Sequence, residues 1–144
     1  IVFRSIAVID IQLQNGDVMP EYDQVSTSTD TTTQALLSVV IESWRFSRVF
    51  ERMLLKLDAG EQGRYRSQFR WFMKNLEESL TGVGMKIVNV EGHPYDPGIA
   101  ATPLNLEDFD SRDSLIVDQM LEPIIMGKEG LIKTGTVTLR RAHS

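Results

Sequence analysis

Two apolar stripes at helical spacing, separated by one short polar turn, constrain this chain more than any other feature of its sequence. Leu37, Ile41 and Trp44 recur at intervals of four and three, and Phe46, Phe50, Met53, Leu54 and Leu57 continue the stripe. It stops at Asp58-Ala59-Gly60, where Gly60 is expected to take the left-handed conformation that ends a helix. Tyr65, Phe69, Phe72, Met73, Leu76 and Leu80 form the second stripe, which ends before Gly82 and Gly84. Helices joined by so short a loop pack antiparallel, so residues 34–82 read as a helical hairpin. Its stripes are rich in rings and too wide for two helices to cover alone. Two copies are therefore expected to complete a four-helix bundle as a homodimer, through Trp44, Phe50, Phe69, Phe72 and Leu76.

The flanks read differently. In residues 1–33, Ile9, Ile11 and Leu13 alternate with Asp10, Gln12 and Gln14 ahead of Asn15-Gly16, the pattern of a short strand and a turn. From Met19 the pattern dissolves through Pro20 into Ser26-Thr27-Ser28-Thr29-Asp30-Thr31-Thr32-Thr33, which has no apolar face to bury. This segment is expected to be a leader, its Ser/Thr run a linker or a frayed helix entry, with Asp30 or one of the last hydroxyls capping the helix that follows. Residues 83–144 change to an extended period. Met85 to Val90 is β-branched and partly alternating, and Gly92, Pro94, Pro97, Gly98 and Pro103 stand too close together for a helix. Leu115 to Leu121 suits a strand or a short helix bounded by Pro123, and Leu131 to Leu139 alternates as a strand. The fold class is therefore α+β, an antiparallel helical hairpin followed by a small all-β domain of short strands.

Composition narrows the function classes. The 144 residues fit one domain or a compact two-lobed unit. With 15 basic against 20 acidic residues, the net charge of −5 argues against nucleic acid as a general partner. No run of 18 apolar residues exists, so no membrane span is expected. The chain has no cysteine, and His93 and His143 stand far apart, which leaves little for metal or base chemistry. Glu107-Asp108-Phe109-Asp110, with Asp113 nearby, lacks the glycine and spacing of a calcium loop and reads as a solvated acidic loop. Arg45, Arg48, Arg52, Lys56, Arg64, Arg66, Arg70 and Lys74 flank the aromatic stripes and read as a solvated helix face, with an acidic protein partner as the alternative. No phosphate loop, dinucleotide fingerprint or nucleophile elbow is present. These readings lead us to expect a cytoplasmic protein that is not an enzyme, with no catalytic residues, no metal site and no cofactor. Because the chain opens on Ile1 without a signal-peptide pattern, it is expected to be a piece of something longer.

From about Gln34 to Ala142 the order of features resembles the GrpE family, the bacterial nucleotide exchange factors of DnaK-type chaperones. Three pieces carry the resemblance. Phe69-Arg70-Trp71-Phe72-Met73-Lys74-Asn75-Leu76-Glu77-Glu78-Ser79-Leu80, followed by Gly84-Met85-Lys86-Ile87-Val88, is similar to the family's bundle helix running through a glycine into a strand. Gly92-His93-Pro94-Tyr95-Asp96-Pro97-Gly98-Ile99 is similar to its G-x-x-F-D-P turn, with Tyr95 for Phe. Ile132-Lys133-Thr134-Gly135-Thr136-Val137-Thr138-Leu139 is similar to its closing strand, with Lys133 for Arg and Gly135 for Ala. Ala100 stands where the family has His, Gly127-Lys128 where it has Gly-Tyr, and residues 1–33 do not supply its long paired stalk. The resemblance implies a co-chaperone that binds the nucleotide-binding domain of a DnaK-type chaperone and favours its open cleft, so that ADP leaves faster. Tyr95, Asp96, Pro97 and Lys133 are the partner-binding residues it implies. The alternative is a GrpE-fold dimerisation or interaction module of a larger protein, without exchange activity.

Overall fold

The computed structural model describes residues 22–143. Two helices lead into six short strands: α1 (Tyr22–Leu54), α2 (Ala59–Gly82), β1 (Lys86–Val88), β2 (Ala101–Pro103), β3 (Leu115–Glu122), β4 (Ile124–Gly127), β5 (Gly130–Lys133) and β6 (Gly135–Arg141). This is the expected α+β layout of a helical hairpin followed by a β-domain. The strand expected around Ile9 lies outside the described residues.

Helix α1 begins well ahead of the expected boundary at residue 34 and runs for 33 residues. The Ser/Thr run, expected as a linker or a frayed helix entry, is part of the helix, and no cap at Asp30 interrupts it. The hydroxyls of Thr32, Thr33 and Ser38 donate to the carbonyls four residues back, Ser28, Thr29 and Gln34, at 3.0–3.1 Å. The run thus continues the helix without any apolar stripe, its hydroxyls bonded back along the helix rather than capping a new start. The turn between the helices also differs from its sequence reading. Gly60 lies inside α2, and Asp58 makes the turn as its N-cap, its Oδ1 accepting from Glu61 N at 3.0 Å. The Gln62 side chain donates to the Leu54 carbonyl at 2.9 Å, satisfying an acceptor at the end of α1.

The far end of α2 closes by a paired-bond stop. Met85 N donates to Leu80 O, Gly84 N donates to Thr81 O, and Gly84 holds φ of 76°. Met85 packs against the cluster containing Leu80, the apolar contact that accompanies this stop. A side chain at Gly84 would be strained by this φ and would displace the Lys128 side chain, whose Cε lies 2.6 Å from where a Cβ would stand.

The strands form two three-stranded sheets. One has order β1-β4-β5 and is antiparallel throughout; the other has order β2-β6-β3, with β2 parallel and β3 antiparallel to β6. Pro123, buried between β3 and β4, carries the chain from one sheet to the other. Thr134 returns it between β5 and β6, so the closing run expected as one strand is two. Along β6, Gly135, Val137 and Leu139 are buried while Thr136 and Thr138 are half-buried, the alternation of a strand with one face inside.

Helix α1 lies against both sheets. Trp44 joins Ala101, Val117, Met120, Ile124, Val137 and Leu139 in one core cluster; Leu37 and Val40 join Leu80 and Ile125 in the other. The face that α1 buries is Leu37, Val40, Trp44, Ser47 and Leu54, with spacings of three, four, three and seven. Ser47 is tolerated there because its hydroxyl donates to the Trp44 carbonyl at 2.6 Å. Trp44, expected at a dimer interface, is 2 % exposed inside its own chain, and its Nε1 donates to Met120 O at 2.9 Å. The β-domain covers this ring, so a second copy has no access to it.

Candidate functional site

The turn that carries the resemblance lies along the outer edge of β3. Gly92 N donates to Val117 O, Val117 N to His93 O, and Tyr95 N to Leu115 O, at 2.8–2.9 Å. Gly92 enters this turn with φ of 78°, a conformation that favours glycine. The Asp96 carboxylate accepts from Gly98 N at 2.6 Å and Ile99 N donates to Asp96 O, which closes a tight Asx turn. Tyr95 is half-buried against the core, while Asp96 and Pro97 are exposed. The turn therefore presents a rigid carboxylate-and-proline tip on a ring anchored in the fold.

Lys133 sits elsewhere. Its Nζ donates to Glu122 Oε2 at 2.7 Å and to Thr134 O at 3.0 Å. Glu122 Oε1 accepts from Arg45 Nη2 at 2.6 Å, and Arg45 Nη1 reaches Glu42 at 2.6 Å. The hydrogen bond from Lys133 holds the Glu122 carboxyl below its ordinary value, and the Lys133 and Arg45 charges add to this against the opposing effect of burial. This chain of charges ties β5 to β3 and β3 to α1. The turn meets β3 at Leu115 and Ile116, and Lys133 meets it at Glu122, the far end of the strand. A strand of that length separates them by on the order of 20 Å, so Lys133 is not part of the Tyr95-Asp96-Pro97 tip.

Of the residues expected to pair two copies, Phe50, Phe69 and Phe72 do come together. Phe50 stacks on Phe46 at 6.2 Å and on Phe69 at 5.8 Å between ring centres. With Trp71 and Phe72 they line an apolar groove of ≈ 690 Å³ along the hairpin. Phe46 and Trp71 are 63 % and 69 % exposed. Leu76 lies one turn beyond Phe72 on α2 and is half-buried. Sequence reading placed Trp44 in this group and left Trp71 out; Trp71 lines the groove and Trp44 does not.

A second cleft, of ≈ 760 Å³, lies between the hairpin and β3. Arg45, Arg48 and Arg52 of α1 and Arg66 and Arg70 of α2 line it, together with Glu51 and Glu91, over Val49, Leu54, Leu55, Phe69, Met120 and Leu121. Arg48 stacks over Trp44, 4.1 Å from the ring centre, and pairs with Glu51 and Glu91 at 2.8 and 3.2 Å. Glu91 also accepts from Met120 N at 2.8 Å. The outer edge of β3 is thus closed at Met120 by Glu91 and by the Trp44 indole. The solvated-face reading of the basic residues missed this cleft. The signal was present as matched spacings, Arg48 and Arg52 on one helix and Arg66 and Arg70 on the other, each pair one turn apart.

The acidic run opens in a 3-10 turn, Leu106–Asp108, and continues as the loop its sequence suggests. Asp110 and Asp113 accept from backbone N–H groups within it, and Asp113 pairs with Arg141 at 3.1 Å. Among the described residues no group of three or more His, Cys, Asp or Glu side chains is placed to hold a metal ion, and no helix is long and apolar enough to cross a membrane. No protein-family model, curated protein or solved structure matches this chain.

Proposed function

We propose that this chain is a GrpE-like exchange factor, which binds the nucleotide-binding domain of a DnaK-type chaperone through its β-domain and promotes ADP release. The observation that supports this reading is the clamp between α1 and the β-domain. Trp44 donates into β3 from the core, and Glu122 joins α1 to β5 through Arg45 and Lys133. A partner shifts a two-lobed protein by the difference in its affinity for the two states, and a surface that is already rigid loses least of that difference to its own ordering. A β-domain locked to a long helix is such a surface. The Tyr95-Asp96-Pro97 tip supplies the exposed contact, and no bond is made or broken. In this reading two copies pair over the Phe46, Phe50, Phe69, Trp71 and Phe72 groove, and the protein works in the cytoplasm.

The test is release of fluorescently labelled ADP from a DnaK-type nucleotide-binding domain, followed by stopped flow. Release is expected to accelerate with added protein and to slow when Asp96→Ala and Pro97→Ala are introduced together. No acceleration at saturating protein removes the reading. The second reading, an interaction module without exchange activity, is favoured by one observation. Lys133 is held by Glu122 inside the chain, so the cation that the resemblance assigns to the partner is already committed.

A further inference from the structure

We infer that the arginine-lined cleft between the hairpin and β3 is a docking site for a short acidic peptide segment with apolar side chains between its carboxylates. The inference stands apart from nucleotide exchange and rests on charge, pairing and shape. Five arginines meet two glutamates in the cleft, a local positive excess in a chain whose net charge is −5. Both glutamates are already engaged by Arg48. Arg45 is engaged by Glu42 and Glu122. Arg52, Arg66 and Arg70 carry no ion pair or hydrogen bond among the described residues, although they come from two facing helices and converge on one cleft. Arg48 Nε is buried without an acceptor. Like charges gathered in a cleft with low-dielectric walls repel one another and focus a field outward, which favours an anionic occupant.

The floor decides which anion. Val49, Leu54, Leu55, Met120 and Leu121 are aliphatic or thioether surface, and Phe69 is the one ring among the lining residues. Nucleic acid calls for successive flat rings on which bases stack. The exposed rings of this hairpin lie in the neighbouring groove instead. Carboxylates alternating with Leu-like side chains match guanidinium groups set above an aliphatic floor. Strand addition is ruled out at Met120, because Glu91 and Trp44 already occupy its backbone groups on the edge of β3. Recognition is therefore by side chains.

The experiment is fluorescence polarisation of a short labelled peptide alternating Glu and Leu, titrated with the full chain. Binding is expected, weakening as salt rises. The combined change Arg52→Glu, Arg66→Glu and Arg70→Glu should weaken it by roughly tenfold or more, while Arg112→Glu on the distant acidic loop leaves it unchanged. All three residues are exposed, so the circular dichroism spectrum should be preserved. If the triple variant does not fold, Arg52→Gln with Arg70→Gln is measured in its place and must weaken binding in the same sense. No binding at about 1 mM, or equal binding by wild type and variant, overturns the inference. Tighter binding of an oligothymidylate of equal charge, or complete competition by inorganic phosphate, also overturns it, assigning the cleft to nucleic acid or to small anions.

Discussion

The two tryptophans of this chain stand on one helical hairpin and have opposite surroundings. Trp44 on α1 is 2 % exposed, packed among β-strands, with its indole N–H bonded to a strand carbonyl. Trp71 on α2 is 69 % exposed, at the rim of a groove lined by phenylalanines. Both lie in stretches of rings at helical spacing. The difference teaches that periodicity identifies an apolar face but not what covers it. On α1 the cover is the chain's own β-domain, reached only after more than seventy further residues, as the Trp44–Met120 bond shows. On α2 Phe69 stacks on Phe50 of α1, while no element of the described chain covers Trp71.

Substitutions at the two sites should separate sharply. Trp44→Ala removes a fully buried ring and leaves the Met120 carbonyl without its donor, and should cost about 3–5 kcal/mol in chemical denaturation. If the loss were under about 1 kcal/mol, the seam between helix and β-domain would not be the core. Gly135→Ala probes the core beside it, where β6 packs against β3 and β4. A Cβ there would meet Ile124 Cγ1 at 2.9 Å, Glu122 O at 3.0 Å and Met120 Cε at 3.1 Å. Overpacking of this kind should cost about 1–3 kcal/mol, and a stabilised variant would mean that the two sheets part easily.

Away from the core the expected effects shrink. Glu122→Gln breaks the charged link between α1, β3 and β5, and should cost about 0.5–1 kcal/mol at neutral pH, since these side chains remain partly exposed. Its pH dependence has a definite sign. The folded carboxyl titrates below its ordinary value of 4.5, so the stabilisation is present above that value and is lost as pH falls through the lowered one. Denaturation curves of wild type and variant should therefore converge in acid; a constant gap would contradict the link. Trp71→Ala should change unfolding of the single chain by less than about 0.5 kcal/mol. Its effect is expected in sedimentation instead, where wild type should pair at micromolar concentration and Trp71→Ala with Phe72→Ala should not. Equal sedimentation of the two would leave the aromatic groove without its second copy.

Much of the fold was legible in the sequence because its signals are local. The hairpin follows from stripes such as Phe69, Phe72, Leu76 and Leu80, and the β-domain from Gly and Pro punctuation between β-branched runs. What was missed depends on distant partners or on polar groups. The extension of α1 to Tyr22 runs through a polar stretch that no apolar pattern records. The turn at Asp58 is made by a side-chain cap, where a glycine seemed the obvious stop. The split of the closing strand at Thr134 follows from β4, which pairs only with the first half. Of the candidate site, the Asp96-Pro97 tip was legible as a turn motif. The burial of Trp44, the commitment of Lys133 to Glu122 and the convergence of arginines from two helices were not, because each needs the third dimension.

Nucleotide exchange is a linkage between two ligands, so the most direct measurement is calorimetric binding of this chain to a DnaK-type nucleotide-binding domain with and without ADP. Reciprocity requires ADP to weaken the protein's binding by the same factor by which the protein weakens ADP binding. The account predicts clearly tighter binding to the nucleotide-free domain. Equal affinity in the two states, or no binding to either, would contradict it.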